Sequence, residues 1–176
     1  MIAALVFAIA VAAAEPPPRI PVESSYHVQG SDRFSKLDAY SLAAGLSPLR
    51  SGGANELRLW AKNYMFGDIT GFIISGDELV SCSTQYDYQD GVTTIYPATC
   101  QRIEGWHKRE EVLRRLGNLS KFDNAEFECG VVDGVGYAID GLFEGRRFGL
   151  AAANPSRCDD SGSRAVVDVL RLLPSE

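Results

Sequence analysis

The chain is poor in histidine, with only His27 and His107, and it holds fewer bases than acids. Against 23 Asp and Glu stand 17 Lys and Arg, for a formal charge of −6. Phosphate backbones are gripped by clustered Lys and Arg, so this balance argues against nucleic acid as the main ligand. No apolar run reaches the ~20 residues that a spanning helix needs. His-Glu-x-x-His, Gly-x-Ser-x-Gly, the Walker A loop and the dinucleotide Gly-x-Gly-x-x-Gly fingerprint are all missing. A hydrolytic triad needs a well-held base. His27 falls in an extended leader, and His107 precedes a helix between Trp106 and Lys108, where an exposed, partly stacked ring is expected. These gaps lead to an expectation of no catalysis, no metal and no cofactor.

What is present describes a globular protein. The 176 residues are 45% apolar, 23% charged and 10% aromatic, which fits a single core. Residues 1–14, MIAALVFAIAVAAA, carry no polar side chain and end in small residues before Glu15. That is the pattern of a secretory signal peptide, too short to span a bilayer. Its usual basic opening is missing, since only Met1 precedes the apolar run, so a weak signal or a start further upstream is expected. Residues 15–30, opening with Glu15 and three prolines, read as an extended leader. Residues 31–176 then form the domain. A periplasmic or secreted location follows, with no stable membrane insertion once the signal is cleaved.

Four cysteines agree with export. Cys82, Cys100, Cys129 and Cys158 are widely spaced and contain no Cys-x-x-Cys pair, which suits structural disulfides in an oxidising compartment. Four cysteines allow three pairings. Cys82–Cys100 and Cys129–Cys158 are favoured because each joins the ends of a local hairpin region. Each would contribute about 3 kcal/mol in the chain-entropy description.

The periodicity predicts an α+β fold: an antiparallel sheet from two hairpin or meander groups, with two or three helices on one side. A short helix is expected over 31–46, capped by Ser31 or Ser35, with Phe34, Leu37 and Leu42 inward. From Asn55, Leu57, Leu59 and Ala61 alternate with Arg58, Trp60 and Lys62. Strands follow at 69–75, 79–88 and 92–96, joined by Gly76-Asp77 and Asp90-Gly91. A three-residue loop at 90–92 would set Cys82 opposite Cys100, whereas a two-residue loop would shift the register by one. Residues 108–119 switch to helical spacing, with Arg114 and Arg115 near the negative end of the dipole and Gly117 at the exit. A second set of strands is expected at 126–132, 136–144 and 149–153. Asp133-Gly134 makes its first turn and residues 145–149 its second. Asn154-Pro155 ends the sheet. Ser161 or Ser163 caps a last helix with Val166, Val169, Leu170 and Leu173 inward, stopped by Pro174.

Charge is segregated along the chain. Between Asn63 and Gln101 lie Asp68, Asp77, Glu78, Asp87 and Asp90 with no Lys or Arg, while Arg102–Lys121 is net basic. Tyr86, Tyr88 and Tyr96 share the acidic stretch. Tyrosines beside uncompensated carboxylates offer rigid contact area with steering toward a basic protein partner. The candidate binding residues are therefore Asp77, Glu78, Tyr86, Asp87, Tyr88, Asp90 and Tyr96. Arg146 and Arg147, expected at a hairpin tip, are a second candidate, for an anion. An immunity or inhibitor protein directed at a cationic cell-wall hydrolase fits this pattern. The alternatives are a carboxylate-dependent envelope hydrolase using Asp77-Glu78 or Asp159-Asp160, and an envelope structural or assembly factor. A calcium loop at Asp87…Asp90-Gly91 lacks the repeat of ligands such loops require.

Overall fold

A strand that alternates apolar and polar residues ordinarily buries one face. Here both faces of the central strand are covered. A computed structural model describes residues 26–29 (backbone alone), 33–130 and 134–174. The signal peptide, most of the leader, the Ser31 cap and Asp133 lie outside the described residues. In chain order the elements are β1 (Tyr26–Gln29), α1 (Arg33–Ala43), β2 (Glu56–Asn63), β3 (Asp68–Ser75), β4 (Glu78–Gln89), β5 (Val92–Ile95) and β6 (Thr99–Arg102). Then come α2 (Arg109–Leu119), β7 (Glu126–Glu128), β8 (Val135–Phe143), β9 (Arg146–Ala153) and α3 (Ser161–Leu170).

The fold is α+β around one curled, mostly antiparallel sheet. Its path runs β1-β5-β4-β3-β2-β8-β9-β7, with β6 also on β4. The two expected strand groups meet where β2 pairs β8. Helices α2 and α3 lie together on one side, where Val112, Leu116, Leu119, Val166 and Val169 close over Leu57, Leu59, Ile74, Ile139 and Leu150. Helix α1 covers the opposite face through Leu37, Ala39, Tyr40 and Ala43, packed on Trp60, Ile69, Ile73, Cys82 and Ile95. Trp60 is thus a core residue, and its indole lies over Gly71 of the neighbouring strand. A Cβ at Gly71 would sit 2.3 Å from that ring.

Both disulfides form as expected, Cys82–Cys100 and Cys129–Cys158. The first arrives by another route. Gln89 pairs Val92, so Asp90 and Gly91 alone make the turn, both at positive φ (53° and 79°), as type I′ hairpins require. Cys82 nevertheless faces Cys100. Between Ile95 and Thr99 the chain spends Tyr96, Pro97 and Ala98 against Thr84 and Gln85, and this bulge restores the register. Pro97 sits where no ladder donor is needed.

Four other expectations change. First, part of the leader is structural: β1 adds to β5, with His27 opposite Thr94. Second, β7 does not hairpin onto β8; it pairs parallel with β9, so the Cys129–Cys158 link ties an edge strand to the entry of α3. Third, α2 runs through Gly117, because the Phe143 ring occupies the space a side chain would need there. Last, α3 is capped by Asp160, which accepts from Ser163 N–H at 2.8 Å.

The second hairpin also closes earlier than expected. Glu144 and Gly145 form its turn at φ 49° and 73°, with Phe143 opposite Arg146. Arg147 is therefore a strand residue, and it points toward α1. Its Nε and Nη2 donate to both oxygens of Asp140, at 2.9 and 2.8 Å, and Nη2 also donates to Asp38 of α1 at 2.6 Å. Its guanidinium stacks on Phe34, 4.7 Å from the ring centroid. Asp140 is 0% exposed and lies opposite Arg58 across the β2–β8 ladder. Burial pushes its carboxyl up, and Arg147 and then Arg58 pull it back. Removing Arg147 alone strands a buried carboxylate, which typically costs 3–5 kcal/mol, whereas removing both partners costs far less. We expect Arg147→Met to lose about 4 kcal/mol in urea unfolding and Asp140→Leu/Arg147→Met to recover most of it. Additive losses would show that the pair does not act as a unit.

Candidate functional site

Strand β4 carries most of the acidic candidates, and its length divides them. Asp77 and Glu78 sit at its start; Asp87, Tyr88 and Asp90 lie at its far end, roughly 30 Å along the strand at ~3.3 Å per residue. The two groups do not form one surface. Those at the start are also compensated: Glu78 pairs with Arg102 at 3.1 Å and Asp77 with Arg109 at 3.5 Å. The basic stretch that follows the hairpins in sequence folds back onto them. Asp159 is exposed, and Asp160 serves α3, its carboxyl pKa lowered by its Ser163 hydrogen bonds. Each acid pair is adjacent in sequence, whereas glycosidic chemistry needs two carboxyls a set distance apart across the scissile bond.

The far end differs. The β2–β3 turn exposes Tyr64, Met65 and Phe66, the last two at 66% and 70%. Tyr86 N–H donates to Gly67 O at 2.9 Å, which brings this turn alongside the β4–β5 hairpin. Tyr88, 69% exposed, and Tyr96 stand on that hairpin. The Tyr96 hydroxyl donates to Asp87 at 2.6 Å, and this hydrogen bond pushes its pKa up. Asp68 lies beside Gly67, and Asp90 is in the turn. Among the described residues none of Asp68, Asp87 and Asp90 is in an ion pair. Two hairpin tips therefore lie side by side, one exposing Tyr64, Met65 and Phe66 and the other Tyr88, Asp87 and Asp90. The residues missed from sequence are Tyr64, Met65 and Phe66, whose apolar run between polar strand ends was the available signal.

Tyr86 does not join that contact area directly. One face of its ring is taken by Lys62, whose Nζ lies 3.6 Å from the centroid; Tyr64 is the other neighbour, at 5.3 Å. Burial, with Lys36 nearby, pulls the Lys62 pKa down to about 8. Arg146 is exposed at the start of β9, while Arg147 is committed to Asp140 and Asp38, so the expected arginine pair is split. His107 is exposed, its Nδ1 3.2 Å from Gly105 O. Cys129, Cys158 and Asp160 cluster, but the two sulfurs are bonded to each other.

The lowered pKa of Lys62 has a sign that can be tested. A base harder to protonate when folded adds stability above its unfolded pKa, near ~10.4, and loses it as pH falls through about 8. Relative to Lys62→Met, the wild type should gain stability between pH 8 and pH 10 in urea unfolding. A difference that stays flat across this window would contradict the burial of the charge.

Among the described residues no helix is long and apolar enough to cross a membrane. The two disulfides fit an oxidising compartment. No protein-family model matches the chain, and no curated protein matches it.

Proposed function

We propose that this is an exported, non-catalytic binding protein that captures a basic protein partner through its paired hairpin tips. The observation that carries the reading is the conjunction at that end: Met65, Phe66 and Tyr88 exposed together beside Asp68, Asp87 and Asp90. Apolar and aromatic area supplies the desolvated centre of such a contact, and uncompensated carboxylates steer and orient a cationic partner. Tyrosine contributes contact area at low entropic cost. Asp77 and Glu78 drop out of the surface, because Arg109 and Arg102 neutralise them at the other end of β4.

Periplasmic or secreted placement rests on the sequence of residues 1–14 and the even cysteine set, and the paired disulfides support it. Within that setting a cationic cell-wall hydrolase is a partner of the right charge and compartment, and inhibition is the natural outcome of covering it.

The test is binding to, and inhibition of, a panel of cationic cell-wall hydrolases at low and high salt. Affinity should fall at least tenfold between 50 and 300 mM salt, about the size that several screened charge pairs produce. Asp87→Lys/Asp90→Lys and, separately, Phe66→Ser should each weaken binding ~10-fold or more, the loss of a contact worth over 1.4 kcal/mol. Asp77→Lys, at the far end of β4, should bind as the wild type does. Binding unaffected by the hairpin-tip variants, or no binding by any cationic hydrolase, would overturn the reading.

A further inference from the structure

On the α1 face, away from the Asp140 network, the sheet and helix do not close. A cavity of about 330 Å³ remains between α1, the end of β2, β8, β9 and β7. That volume lies in the range of small-molecule sites. It exists because the strands supply almost no side-chain bulk: its lining includes Gly136, Ala138, Ala151 and Ala153. Tyr64 is drawn over the first of these, so closely that a Cβ at Gly136 would lie 2.3 Å from its hydroxyl oxygen. A slot results with a floor of small side chains, a tyrosine wall and charged groups around it.

Charge at its walls is not balanced internally. Arg33 is held by Glu126 at 2.6 Å, by Asn124 and by the Gly149 carbonyl. Lys36 of α1 and Lys62 of β2 also line the cavity, and among the described residues neither is in an ion pair. Two like charges held near one another in a half-buried site are unfavourable without a counterion. Among the described residues, the one lining acid left to oppose them is Glu128, exposed on β7 at the rim. The unpaired groups among these lining residues thus sum to one positive charge. Tyr40, 6% exposed, adds a phenol on the same lining, pushed up to about 12 by burial and so neutral at working pH. A neutral phenol donates readily to an anion.

We infer that this cavity is a binding site for a small monoanion with a flat apolar body, an aromatic or similarly planar carboxylate. The carboxylate would lie between Lys36 and Lys62 with Tyr40 as a further donor, and the body would lie on the alanine and glycine floor beside Tyr64. A monoanion is specified because it cancels the single net charge; a dianion would leave Glu128 facing excess negative charge. This site uses residues other than Met65, Phe66 and the aspartates of the hairpin tips, so it stands or falls separately from the proposed partner surface.

The groups facing Lys62 define a pH dependence. These are Lys36, Arg33 and Tyr40 from α1, Tyr64 beside it, Tyr86 from β4, and Glu126 and Glu128 from β7. Between pH 7 and 9.5, Lys62 goes from mostly protonated to mostly neutral as pH passes about 8.

The probe is benzoate, followed by calorimetry and by NMR of the lysine side chains in the full chain, with benzamide as its neutral counterpart. Benzoate should bind at pH 7 and benzamide at least tenfold more weakly. Benzoate affinity should fall about tenfold by pH 9.5, and saturation should move the Lys62 titration upward. Lys36→Gln/Lys62→Gln should abolish the preference for benzoate, and Lys121→Gln should leave it intact. Equal binding of both probes, a pH-independent affinity, an unmoved Lys62 titration, or no binding at 20 mM benzoate would each overturn the inference. The lysine titration is read on the unaltered protein, so a variant that fails to fold does not leave the question open.

Discussion

The fold depends on a carboxylate placed where no water reaches it. Asp140 stands in the middle of the sheet, fully buried, and its negative charge has to be answered from inside the protein. Arg147 answers it from the next strand, Arg58 lies across the ladder on the other side, and Asp38 takes up the remaining valence of Arg147 from the helix. Because one of these partners belongs to α1, the requirement fixes where that helix docks. Arg58 is fastened in turn by Glu56 and by the Ser47 carbonyl at 2.8 Å, which ties down the segment after α1. A hydrophobic face alone would allow α1 to slide; the ionic network specifies one position. That position leaves the sheet covered at one end of the helix and open at the other, where the small side chains lie.

Charge that looks segregated in one dimension is redistributed in three. The strongly acidic stretch and the basic stretch after it meet at the β3–β4 turn, so acids there are cancelled by Arg102 and Arg109. At the opposite end of the same strand, among the described residues, no base forms an ion pair with Asp68, Asp87 or Asp90, and Lys62 lies on the Tyr86 ring instead. The net charge of −6 is therefore expressed most clearly at the hairpin tips, next to the exposed apolar residues.

Much of the architecture was legible because it rests on local signals. Period-two alternation at 57–62, the turn pairs Gly76-Asp77 and Asp90-Gly91, and the helical spacing of Val112, Leu116 and Leu119 each report short-range geometry. The cysteine pairing was legible too, although through a loop length that the structure does not use; the bulge at Tyr96–Ala98 supplies the missing residue. What stayed hidden depends on contacts between distant segments. Trp60 alternates with charged neighbours and reads as a surface residue until α1 covers it. Arg147 reads as a turn residue because Gly145 and Gly149 both offer plausible breaks, and only the pairing of β8 with β9 chooses between them. Lys62 belongs to no motif. Its perturbation comes from burial and, after that, from Lys36, neither of which is visible in the neighbouring sequence.

The parallel strand β7 has a consequence for how the molecule meets copies of itself. A sheet with one long, flat margin invites another chain to continue its ladder, and this is a common route to aggregation. Here the β9 margin is capped by a segment of only three residues, Glu126–Glu128, that carries two carboxylates and runs parallel to β9. The Cys129–Cys158 bond then anchors its end to the start of α3, so the cap cannot peel away while the bond is intact. A short, charged, covalently pinned margin is a poor template for strand addition. The same bond that staples the fold thus also guards this margin against strand addition for as long as it stays oxidised.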